Sequence, residues 1–176
     1  RKSQMLAMHP DLEIVPVRGN IQTRINKIVS ENLDGLIVAK AALNRLKIDY
    51  PNMHIFSENQ MLPAAAQGAI GIEICNAQIQ SEILDILVKV NCSHTFTATK
   101  IEREIVAALE GTCLSPISAL VTIQDQKLHL QVRVSNQNGS KIIEKESTFL
   151  PEEESDALLQ FKIELLADGA KELIQT

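Results

Sequence analysis

The chain has 176 residues, 45% of them hydrophobic, and a formal charge of −5. That is enough apolar material for one or two packed domains without disulfides or a structural metal. An acidic chain with 3% aromatics and no Trp lacks both the basic footprint of phosphate binding and the stacking platforms used on single strands, which excludes nucleic acid as a partner.

Three cysteines in no paired spacing point to a reducing compartment. No apolar run approaches the roughly 18 residues of a membrane span and no secretory signal is recognisable, so the expectation is a cytoplasmic protein without a membrane partner. The chain opens Arg-Lys-Ser-Gln-Met-Leu, without an initiator Met and already inside a helical pattern. The expectation is therefore a fragment of a longer protein.

Residues 1–9 read as the end of a helix, with Met5, Leu6 and Met8 apolar, stopped where Pro10 pushes His9 out of helical geometry. Residues 13–17 are a short β-type run, placed at an edge or strand end by Pro16. Arg18-Gly19-Asn20 is a turn before a helix over 21–30, with Ile21, Ile25, Ile28 and Val29 on one face. Residues 33–39 are a nearly continuous apolar strand of the kind buried in a parallel sheet, and 41–46 a short helix. The spacing predicts a βαβ unit over 15–39. Arg18, Arg24, Lys40 and Arg45 then fall near the carboxyl ends of successive strands. Two readings stand: a pocket for a ligand rich in carboxylate or phosphate, or a solvated basic face.

Residues 50–62 read as a loop with one short strand at 54–56, followed by a small-residue turn at 63–68. Residues 69–75 alternate and read as a strand, and 81–90 as an apolar-faced helix. A longer helix is predicted over 93–110, with Ser93 as its N-cap and Phe96, Ile101, Ile105, Ala108 and Leu109 at helical spacing. It ends at Gly111, and Cys113 follows in a loop. By spacing alone Cys113 is either a small hydrophobe packed between two elements or a nucleophile at a helix end. Strands at 118–123, 127–135 and 141–148, joined by turns at 124–126 and 137–140, form an antiparallel sheet. A last helix over 152–174 begins with three glutamates, which suit a helix N-terminus. No His or Cys spacing fits a metal, and none is expected.

Several segments resemble, in order and at compatible spacing, the second and third domains of the porphobilinogen deaminase (hydroxymethylbilane synthase) family. Leu109-Glu110-Gly111-Thr112-Cys113-Leu114-Ser115-Pro116-Ile117 is similar to the family's Leu-Glu-Gly-Gly-Cys-x-x-Pro loop. Arg1-Lys2-Ser3-Gln4-Met5-Leu6 resembles the end of Arg-Arg-x-x-Gln-Leu. Val17-Arg18-Gly19-Asn20-Ile21-Gln22-Thr23-Arg24 resembles Arg-Gly-Asn-x-x-Thr-Arg. Leu43-Asn44-Arg45-Leu46 resembles Gly-Leu-x-Arg-[Leu/Met]. Ala66-Gln67-Gly68-Ala69-Ile70-Gly71-Ile72-Glu73 resembles Gly-Gln-Gly-Ala-x-Gly-x-Glu, and Glu102-Arg103 falls at the family's Ala-Glu-Arg. The chain departs from these patterns at Lys40, Ala42, Ala66 and Thr112.

The resemblance implies a transferase of haem biosynthesis that condenses four porphobilinogen molecules into hydroxymethylbilane with release of ammonia. It implies a dipyrromethane cofactor held by a thioether to Cys113, with Arg1, Arg18, Gly19, Arg24 and Arg45 contacting that cofactor. It implies that Arg18, Arg24, Arg45 and Gln67 bind substrate, and that the full-length protein is a monomer. The proton-transferring carboxylate belongs to the family's first domain, so no catalytic residue is assigned here and the fragment alone is expected to be inactive.

The fold implied is α/β: an incomplete periplasmic-binding-protein-like βαβ region at 1–66, a strand–helix segment at 67–92 returning to the first domain, and an α+β domain at 93–176 carrying the cysteine loop. Two other readings remain: a carboxylate-binding α/β module in which Cys113 only packs, and a degenerate homologue without turnover.

Overall fold

Leu128, Leu130, Val132 and Val134 alternate along one strand and all are buried. That period of two, on the middle strand of a sheet, sets the core. The structure is a computed structural model that describes residues 1–75 and 81–176. Its helices are α1 (Lys2–Met8), α2 (Ile21–Ser30), α3 (Lys40–Leu46), α4 (Ser81–Val90), α5 (Ser93–Ala108), α6 (Glu154–Ala167) and α7 (Ala170–Leu173). Its strands are β1 (Ile117–Gln124), β2 (Lys127–Ser135) and β3 (Ile142–Phe149). The described residues divide into two compact units, one of 1–11 with 58–176 and one of 12–57.

In the first unit the sheet runs in the order β1-β2-β3, antiparallel throughout, with Val121 opposite Leu130 and Lys145 opposite Val132. The β1–β2 hairpin turns on Asp125 and Gln126, both at positive φ, the backbone of a two-residue type I′ turn. Ile101, Ile105 and Leu109 of α5 and Leu158, Phe161 and Leu165 of α6 complete the core. Phe96, expected on the same stripe, is 61% exposed. At 3.6 residues per turn it stands about 140° around the helix from Ile101.

Three further boundaries differ from expectation. Cys92, not Ser93, is the N-cap of α5. The left-handed residue that ends α5 is Glu110 (φ 52), not Gly111. Gly111 N donates to Val106 O (2.9 Å) and Glu110 N to Ala107 O (3.0 Å), a Schellman closure with glutamate where glycine is usual. The last helix is interrupted at Gly169, which takes φ 82.

The second unit contains α2 and α3. Asn20 caps α2, accepting from Thr23 N. Only Leu43 is buried in this unit, and Val29 is 84% exposed. The strands expected at 13–17, 33–39, 54–56 and 69–75 do not form; among the described residues the sheet has three strands. A strand is a state of pairing, and an apolar run becomes one only when another backbone lies alongside to satisfy its amides and carbonyls. The βαβ unit is therefore not built here, though α2, its helix, is.

Of the expected 67–92 segment, 76–80 lies outside the described residues. α4 forms as expected, with Ile83, Leu84, Ile86, Val88 and Val90 all exposed. Burial separates the two helical faces sharply. In the 176-residue chain Ile105→Ala should cost about 2–5 kcal/mol, whereas Ile86→Ala should stay within about 0.5 kcal/mol. Urea denaturation of both variants checks this, and equal losses would contradict the burial assigned to α4.

Candidate functional site

Cys113 sits at the tip of a fixed turn between α5 and β1. Ser115 N donates to Thr112 O (3.1 Å), so Cys113 and Leu114 are the two central residues of a β-turn. Side chains close it as well: Thr112 N donates to Ser115 Oγ (2.9 Å) and Leu114 N to Thr112 Oγ1 (3.2 Å). The thiol is free and exposed. It does not pack as a small hydrophobe, and it is open to a large substituent on sulfur, as thioether attachment of a pyrrole would require. Thr112, in place of the family's second glycine, is absent from the residues at positive φ, so the substitution brings no backbone strain and adds a hydroxyl that stiffens the turn.

A second turn in the same unit carries Gln67. Gln67 N donates to Ala64 O (3.1 Å), and Gln67 is exposed. Ala66 takes φ 57 and Gly68 φ 90. Ala66 therefore occupies a left-handed position where glycine is the natural residue. The turn is held from below by Glu102, whose carboxylate accepts from Ala66 N (2.6 Å) and from Val121 N on β1 (2.9 Å). Glu102 is only 6% exposed. Its place in the sequence marked a family motif, but this clamp was not foreseen, because both partners are main-chain amides that carry no side-chain signature.

α1 is tied to the same unit through Gln4, also buried. Its Nε2 donates to Leu62 O and Ser118 Oγ, each 2.9 Å, and its Oε1 accepts from Leu62 N (2.9 Å) and Arg133 Nη1 (2.6 Å). Arg1 is exposed at the N-cap of α1. A groove beside β2 and β3, lined by Glu58, Arg133, Glu144, Lys145 and Glu146 among others, has more carboxylates than cations. Arg133 is already spent on Gln4, Glu144, Asn59 and Gln60, so the groove does not suit an anionic ligand.

The second unit holds Arg18, Gly19, Arg24 and Arg45. Gly19 takes φ 119, and Arg24 Nε donates to Gly19 O (2.7 Å), which draws Arg24 back over the turn preceding α2. Arg18 and Arg45 are exposed and form no ion pair among the described residues. The predicted site residues thus fall into two groups: Cys113, Gln67 and Arg1 in the first unit, and the Arg18–Arg24 turn with Arg45 in the second. Among the described residues no group of three or more His, Cys, Asp or Glu could hold a metal, and no helix is long and apolar enough to cross a membrane.

Residues 1–82 match the family model of porphobilinogen deaminase, dipyromethane cofactor binding domain, and residues 96–165 match porphobilinogen deaminase, C-terminal domain. Cys113 lies in the second match, the four arginines and Gln67 in the first. Porphobilinogen deaminase of Maridesulfovibrio salexigens is 39% identical over 175 residues, 99% of this chain and 56% of that protein. That of Alkaliphilus metalliredigens is 36% identical over 177 residues, 100% of this chain and 55% of that protein. That of Neisseria meningitidis serogroup A is 39% identical over 175 residues, with 99% and 55% covered. The chain spans about half the length of the curated relatives it matches.

Two outcomes follow from this geometry. Glu102→Ala leaves two amides without their acceptor, and should lower stability by about 2–5 kcal/mol by the usual scale of an unsatisfied buried group. Hydrogen exchange at Ala66 and Val121 should quicken together; acceleration at one alone would break the clamp assignment. The Cys92 thiol is held below the ordinary thiol range because Thr95 Oγ1 donates to its sulfur (3.3 Å) and the Thr95 and His94 amides add to this. A lowered pKa means more thiolate at a given pH, so Thr95→Val should move the midpoint of Cys92 alkylation to higher pH. An unmoved midpoint in mass-mapped iodoacetamide labelling would remove the hydroxyl as the cause.

Proposed function

This chain belongs to the porphobilinogen deaminase family, and on that premise we propose that it is the part of a hydroxymethylbilane synthase that carries the pyrrole primer on Cys113. The whole enzyme would condense four porphobilinogen molecules into hydroxymethylbilane, releasing one ammonia at each condensation. The proposed primer is a dipyrromethane, which when bound supplies the free pyrrole carbon from which the chain grows. The observation that carries the reading is the exposed thiol of Cys113 at the tip of a hydrogen-bonded turn. A thioether there joins sulfur to carbon and resists hydrolysis, which suits a primer that must outlast its product.

The remaining roles follow from the charge of the substrate, which bears an acetate and a propionate. Arg18, Arg24 and Arg45 would pair with those carboxylates, since a guanidinium meets a carboxylate through two parallel hydrogen bonds. Arg1 would serve the primer's carboxylates. Gly19 would let a ligand approach the backbone, and Gln67 would offer its exposed amide to the substrate. No proton-transferring carboxylate is assigned among these residues.

In domain terms, 1–66 would be the cofactor- and substrate-binding region and 93–176 the domain that presents the cysteine. Residues 67–92 would pack on a further part of the enzyme. The periplasmic-binding-protein-like βαβ arrangement of 1–66 belongs to this proposal too, with 13–17 and 33–39 pairing once a strand lies alongside. So do a cytoplasmic location and a monomeric enzyme.

The test is an intact mass with peptide mapping of the protein produced from its own gene. A two-pyrrole adduct is expected on Cys113 and should vanish in Cys113→Ser. An adduct that persists in that variant, or that maps to Cys75 or Cys92, would overturn the assignment.

A further inference from the structure

We propose that Asn138–Gly139 is a site of spontaneous imide formation, and that one of its products unseats α1 from the β2–β3 hairpin. This stands apart from the enzymatic reading. The sequence contains one Asn-Gly pair. Asn138 is exposed in the loop joining β2 to β3, and Gly139 has no Cβ to shield its amide nitrogen.

The chemistry needs only water. The deprotonated Gly139 nitrogen attacks Asn138 Cγ, a C–N bond forms, and the side-chain nitrogen leaves as ammonia. Water then opens the five-membered imide at either carbonyl. One product is aspartate; the other is isoaspartate, in which the side-chain methylene has entered the main chain and lengthened it by one atom.

That extra atom enters the main chain immediately before Gly139, a residue packed against α1 with little room to shift. Gly139 takes φ 72, and a Cβ placed on it would lie 2.1 Å from Ser3 O and 2.8 Å from Ala7 N. The hairpin and α1 therefore meet backbone to backbone at this residue. One turn of α1 carries Gln4, whose bonds to Leu62, Ser118 and Arg133 hold the helix to the sheet. A lengthened main chain before Gly139 cannot keep this seat, so the damage passes to the Gln4 network.

The native loop also restrains the reaction. Gly139 N donates to Asn136 O (3.1 Å) and Asn138 Oδ1 accepts from Ser140 N (3.0 Å). The buried Asn136 side chain further ties Ser140 and Lys141. Attack requires the first two bonds to break, so the imide forms from a locally opened hairpin.

The test ages the 176-residue chain at mildly alkaline pH, folded and in urea, and maps isoaspartate by enzymatic methylation and peptide mass. Aspartate and isoaspartate should accumulate at 138 ahead of every other asparagine, roughly tenfold more slowly in the folded chain, as expected for reaction through local opening. In the isoaspartate fraction the Met5 and His9 amides, which close α1 onto Arg1 O and Met5 O, should exchange faster. Asn138→Gln should remove the modification. Asn138→Asp, which adds the charge without the extra atom, should leave α1 exchange slow. Faster modification at another asparagine, equal rates folded and unfolded, or unchanged α1 exchange in the isoaspartate fraction would each overturn the proposal.

Discussion

A carboxylate buried with no cation beside it among the described residues holds the sheet-bearing unit to one arrangement. Glu102 accepts one main-chain hydrogen bond from the turn of Gln67 and one from β1. Burying an ionised group is costly unless its lone pairs are engaged, so α5 must take the rotation that delivers both amides to it. That rotation also points Ile101, Ile105 and Leu109 into the core. The Val121 amide on the outer edge of β1 is met by a side chain rather than by another strand, which covers part of an edge that would otherwise invite pairing.

The apolar content is unevenly used. The unit built on the sheet buries a continuous cluster from α5 through α7. Residues 12–57 bury only Leu43, and Ile70, Ile72 and most of α4 face outward. Composition counts apolar residues, but stability depends on whether a second surface meets them. Cys113 belongs to the unit built on the sheet, and its turn is anchored at both ends by core residues, Leu109 on one side and Ile117 on the other. A thiol displayed on such a support loses little freedom when a ligand is joined to it.

Backbone geometry explains the family's glycines unequally. Ala66 occupies a left-handed position that glycine would hold without strain, whereas Thr112 stands where none is required. Glu110 is strained in the same sense as Ala66, although the next residue is the glycine. Gly111 serves instead for closeness: a Cβ on it would lie 2.4 Å from Ile117 Cδ1 and 3.2 Å from Val106 Cγ1.

The helices were legible because their signals are local: Arg18-Gly19-Asn20 as a turn before α2, Pro10 as a stop, and apolar spacing in 21–30 and 81–90. The three-stranded sheet was legible for the same reason, since β1, β2 and β3 are neighbours in sequence and their hairpins fix the register. Motif residues such as Cys113, Arg18 and Gln67 could be named from order and spacing. Partners distant in sequence could not be. Glu102 meets Ala66 and Gln4 meets Arg133 through contacts that span 36 and 129 residues, and no local pattern encodes them. The runs at 33–39 and 69–75 have the composition of strands but remain unpaired, because pairing needs a second backbone that composition does not supply. Sequence by itself determined which segments could be helix or strand and which residues match the family's motifs. Tertiary structure alone decided which of those segments found partners, and that the Cys113 thiol stands in the open.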